Sequence, residues 1–100
     1  MKVFAILSVL AASASAASFR ACSGTNLGGS CNVKTNFGKT TGSWRSYNWR
    51  ASTNMCVKIC NGCTEKGWRC QDYSNNDIAF NKFIIFNWAG GEGPADTSCC

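Results

Sequence analysis

Sulfur dominates the chemistry available to this chain: eight of its 100 residues are cysteine, at Cys22, Cys31, Cys56, Cys60, Cys63, Cys70, Cys99 and Cys100. Cys60-x2-Cys63 has the spacing of a metal-ligand pair. No second such pair lies at a suitable distance, however, and histidine is absent, so no metal site is expected. The alternative is four disulfides formed in an oxidising compartment, each worth about 2–4 kcal/mol. Cys99 and Cys100 are adjacent, and neighbouring cysteines rarely bond to each other for geometric reasons. Each is expected to reach back to a different partner and pin a tail that would otherwise fray.

No catalytic constellation accompanies the sulfur. Without histidine, the commonest general base and the partner of Ser-His and Cys-His pairs is missing. The carboxylates are Glu65, Asp72, Asp77, Glu92 and Asp96, and a hydrolase would need two of them flanking a cleft. Asp72 and Asp77 read as turn residues, and a weak enzyme using Glu65 or Asp72 is the least favoured reading. Gly24, Gly28 and Gly29 also read as turn glycines, since no helix follows them to make a phosphate loop. A non-enzymatic protein without a cofactor is expected.

The aromatic residues offer binding chemistry. Trp44, Tyr47, Trp49, Trp68 and Trp88 are many large rings for a short chain, and flat rings stack on sugars. The competing expectation, and the favoured one, is that several of them fill the core. Trp44-Arg45 and Trp49-Arg50, five residues apart, pair a ring with a cation in a way that suits contact with a protein or a membrane surface. Trp44, Arg45, Trp49, Arg50 and Trp68 are therefore the candidate ligand contacts.

The elements that position these groups begin after a leader-like segment. Lys2, the apolar run Val3 to Leu10 and the small residues AASASAAS form the three-part pattern of a secretory signal peptide, cleaved after Ala16 or one step later. The run is too short for the roughly 20 residues that span a bilayer. Removing residues 1–17 leaves 100 − 17 = 83 residues that keep every cysteine. Without Lys2 there are nine Lys and Arg against five Asp and Glu, a net charge of +4. These basic residues are scattered. They are compatible with an anionic membrane surface but form no stripe that would read nucleic acid.

The remainder is rich in Gly, Asn, Ser and Thr, with β-branched and aromatic residues in short pieces, which predicts a small all-β sandwich. Strands are expected at Ser18–Cys22 and Met55–Cys60. Asn61-Gly62 reads as a tight turn, and Phe83-Ile84-Ile85-Phe86 as a strand buried on both faces. The expected organisation is a signal peptide over 1–17, a β domain over 18–89 and a Gly-rich tail over 90–100.

The chain can also be laid on itself. Phe19-Arg20-Ala21-Cys22 matches Val57-Lys58-Ile59-Cys60, each followed by a second cysteine, Cys31 or Cys70. Tyr47-Asn48-Trp49 is matched with Phe80-Asn81-Lys82. The segment Cys22-Ser23-Gly24-Thr25-Asn26-Leu27-Gly28-Gly29-Ser30-Cys31, with Tyr47–Ser52 and Phe80–Ile85, resembles the βγ-crystallin-like motif of small secreted fungal proteins. The resemblance implies two Greek-key motifs over residues 19 to about 88. It does not extend to that family's calcium site. Tyr47 and Ala51, and in the second copy Phe80, Ile84 and Ile85, stand where oxygen ligands are needed.

Four disulfides allow 105 pairings. On the repeat, Cys22–Cys31 and Cys60–Cys70 are expected to close the two units, leaving Cys56 and Cys63 for Cys99 and Cys100. The functional expectation is a secreted effector-like or antimicrobial, toxin-like monomer that binds a host or competitor-cell protein or surface. The alternative is a wall-associated module binding chitin or β-glucan.

Overall fold

The computed structural model describes residues 17–89 and 96–100; the expected signal peptide, apart from Ala17, and the start of the expected tail lie outside them. Eight strands form: β1 Ser18–Cys22, β2 Cys31–Lys34, β3 Gly38–Trp44, β4 Ser46–Arg50, β5 Met55–Asn61, β6 Thr64–Arg69, β7 Tyr73–Asn75 and β8 Phe80–Asn87. They build two antiparallel sheets, ordered β2-β1-β4-β7 and β3-β8-β5-β6. The expected all-β sandwich is therefore the fold. Each half of the chain keeps its first, second and fourth strands together and sends its third to the other sheet. The result is two interlocked Greek keys. Neither half can bury its inner face alone, which makes the pair one cooperative unit.

Alternation along the strands sorts the side chains. Phe19 and Ala21 in β1, Tyr47 and Trp49 in β4, Val57 and Ile59 in β5, and Phe83 and Ile85 in β8 all point inward and are buried. Phe19 is the hub, with its ring centroid 4.2 Å from Phe83 and 5.1 Å from Tyr47. Trp44 packs 5.3 Å from Phe80 and 5.2 Å from Phe83. Rings thus supply the interior of a chain with few aliphatic residues. The register of β3 on β8 shifts between Thr41 and Trp44. A side chain at Gly42 would meet the Trp44 ring there, with its Cβ 2.4 Å from Cζ2.

The repeat holds at its start and shifts at its end. Phe19 and Val57, Ala21 and Ile59, and Cys22 and Cys60 share their burial phase. Ala21 pairs with Tyr47, however, whereas Ile59 pairs with Phe83. The counterpart of Tyr47 is therefore Phe83, three residues beyond the expected Phe80.

All eight cysteines are in disulfides: Cys22–Cys31, Cys56–Cys70, Cys60–Cys99 and Cys63–Cys100. The first of these and the capture of Cys63 by the terminal pair match expectation. The expected Cys60–Cys70 bond does not form, and hairpin register explains why. Asn61 pairs with Thr64 across the tight turn, where Gly62 supplies the positive φ, and Val57 pairs with Arg69. Cys70 therefore arrives beside Cys56, with Cα atoms 4.1 Å apart, at the end of the hairpin remote from Cys60. Cys60 is left for Cys99.

Candidate functional site

Residues directly opposite one another across a sheet share a face. Lys39 pairs with Ile84, Ile84 with Lys58 and Lys58 with Trp68, so these four form one row across β3, β8, β5 and β6 on the outer face of the second sheet. In the neighbouring row Thr41 pairs with Lys82, and Lys82 with Cys60. An outer face carrying Ile84 and Cys60 would expose apolar surface, yet both are fully buried.

What covers them is the C-terminal segment. Cys99 packs with Cys60 and Ile84, with Phe86 alongside. Three lysines from three adjacent strands hold this strap. Lys39 donates to the Asp96 carboxylate at 3.0 Å, Lys58 to the Thr97 carbonyl at 2.8 Å and Lys82 to the Cys99 carbonyl at 2.6 Å. The segment Phe83–Ile85 is thus buried on both faces, as its continuous apolar run predicts, but the outer cover comes from the strap and not from a third layer.

Strand β6 is the edge of this sheet, and Trp68 ends its row there, 43% exposed. Trp88 follows the end of β8. Its N–H donates to the Asn54 carbonyl, and its ring, 63% exposed, stacks on Trp68 with centroids 5.4 Å apart and planes 18° apart. Phe86 supports Trp68 from 6.4 Å. Beside them lies a groove of about 200 Å³ that Lys58, Glu65 and Thr97 also line. Trp68 also lines a second groove of about 370 Å³ with Arg69, Gln71, Asp72 and Tyr73. The Arg69 guanidinium sits 3.9 Å over the Tyr73 ring, a cation–π contact that fixes that wall.

The sequence-derived contacts are scattered by the fold. Trp68 is at this corner. Trp44 and Trp49 are 5% and 0% exposed, because inward alternation in β3 and β4 places them in the core. Neither can present a ring to a ligand, which corrects their assignment as contacts. The indole Nε1 of Trp49 is buried without a hydrogen-bond partner. Arg45 and Arg50 are exposed but line neither groove, and Arg45 is ion-paired with Asp77. Trp88 was not singled out as a contact in the sequence, and its position just beyond a buried strand was the one available signal.

The described carboxylates are occupied separately. Glu65 lies 3.9 Å from Lys58, Asp72 accepts the Ala51 N–H at 2.8 Å, Asp77 takes Arg45, and Asp96 takes Lys39. Hydrogen bonds from the Ser98 hydroxyl and N–H, then Lys39, hold the Asp96 carboxyl well below the usual carboxylate range. Burial, with a smaller contribution from Tyr73, pushes the Tyr47 phenol above its ordinary value. Among the described residues, no helix is long and apolar enough to cross a membrane. Comparison with protein-family models, curated proteins and solved structures finds no match for this chain.

Proposed function

We propose that this protein is secreted and acts outside the producing cell by binding, as effectors and antimicrobial toxins do, and that the Trp68–Trp88 corner is its contact surface. The observation carrying this reading is that a fold which buries Trp44 and Trp49 leaves two stacked indoles in solvent. Exposed, clustered tryptophan is costly in water and is the side chain most enriched at binding hot spots. Four disulfides in so small a chain suit an oxidising, extracellular setting. The leader-like first residues agree with it.

The interlocked Greek keys are what the resemblance to βγ-crystallin-like secreted fungal proteins implies, and they support that kinship. Calcium is not carried over, because the buried side chains of Tyr47, Phe80, Ile84 and Ile85 offer no carboxylate or amide oxygen. Applying labelled, oxidised protein to microbial cells and to plant tissue tests the reading. The wild-type protein is expected to bind and to inhibit growth or provoke a tissue response. Trp68→Ala/Trp88→Ala protein with unchanged disulfides is expected to do neither. Inactive wild-type protein on both targets would refute the proposal.

A further inference from the structure

We infer that the ligand of the Trp68–Trp88 corner is a neutral glycan built from gluco-configured pyranoses. The inference rests on reading that corner as the contact surface and adds the chemistry of what it meets. An indole face is flat and apolar, so it complements a sugar ring whose hydroxyls are all equatorial and whose C–H bonds make a flat face. An axial hydroxyl interrupts one of the ring's two faces and leaves only the other for stacking. Trp68 lines both grooves, so rings beyond the one stacked on it have neighbouring grooves to occupy.

The polar lining mixes donors with acceptors. Lys58 and Glu65 line one groove, and Arg69, Gln71 and Asp72 line the other. Sugar hydroxyls need both kinds of partner. An anionic headgroup or acidic polymer would need surplus positive charge, and here each groove carries an acid beside its cation: Lys58 lies 3.9 Å from Glu65, and Arg69 and Asp72 line the same groove. The walls are also held in advance. Cys70 in the second groove is bonded to Cys56, and Thr97 in the first belongs to the strap. A fixed platform loses little freedom on binding, which favours a shallow, rigid ligand contact.

The test is retention on insoluble chitin and β-glucan, with mannan (axial 2-hydroxyl) and anionic phospholipid vesicles as counter-probes. Wild-type, Trp68→Ala, Trp88→Ala and Gln71→Ala proteins are compared after disulfide mapping shows each to be folded. Stronger retention on chitin or β-glucan than on mannan is expected, with a loss on the order of tenfold or more for each tryptophan variant. A smaller loss is expected for Gln71→Ala. Three results would overturn the inference: no retention on either gluco-configured polymer, retention indifferent to both tryptophans, or binding to vesicles alone. Trp-dependent binding to cells that survives digestion of their wall glucan and chitin would overturn the glycan and leave the corner as the contact surface. Absence of any Trp-dependent binding would overturn both.

Discussion

The two bonds of the C-terminal strap close almost the same loop, and their energetics should therefore not add. Cys60 and Cys99 are 39 residues apart, and Cys63 and Cys100 are 37 apart. In the chain-entropy description, closing a loop of that length stabilises the fold by about 4 kcal/mol. While either bond remains, the loop stays closed, so removing one should cost well under half of that. Removing both should release the whole amount, a fall in Tm of roughly 16–30 °C for a domain of this size. Alanine pairs at 60/99, at 63/100 and at all four positions make the comparison without burying new hydroxyls. The 60/99 pair should be the more costly of the two, because Cys60 and Cys99 also pack on Ile84. Guanidinium unfolding gives the three free energies. Two single-pair losses of about 4 kcal/mol each that sum to the four-site loss would refute the shared-loop argument.

Other perturbations have signs fixed by the structure. The raised pKa of Tyr47 means that the folded state holds its proton more tightly than the unfolded one. Its contribution is therefore intact below about pH 10 and lost as pH rises through the native value. Urea midpoints should fall as pH rises above about 10, the phenol's ordinary pKa, and Tyr47→Phe should flatten that fall. Asp96 has the opposite sign. Its contribution is present above about pH 4 and lost on further acidification, so protection of the Ser98 amide relative to intrinsic exchange should fall toward pH 2 in the wild type and lose that pH dependence in Asp96→Asn. Gly42→Ala places a Cβ against the buried Trp44 ring and should cost about 1–3 kcal/mol in thermal unfolding.

The strands with strict alternation were the legible part of the fold. In Ser18–Cys22 and Met55–Cys60 a single phase decides which side chains face inward, and local sequence is enough to show it. The pairing of Cys56 with Cys70 was encoded less openly. It follows from counting outward from the turn at Gly62, whereas matching the two halves by their second cysteine points to Cys60. The strap was harder to foresee. Its contacts join residues up to 57 positions apart, Lys39 with Asp96, and nothing local marks three lysines on separate strands as partners of one tail. The tryptophans divide for the same reason. Trp44 and Trp49 lie on inward positions, but Trp68 takes its exposure from an edge strand and Trp88 from the chain just past β8. Edges are properties of sheet order, which short-range patterns do not carry.

Oxidative footprinting of tryptophan in the free and the cell-bound protein, read by peptide mass, tests the account most directly. In the free protein Trp68 and Trp88 should react while Trp44 and Trp49 stay protected, and on bound cells the two reactive indoles should become protected as well. Equal reactivity of Trp68 and Trp88 in both states, in protein shown to be bound, would contradict the assignment of that corner as the place where this protein meets its target.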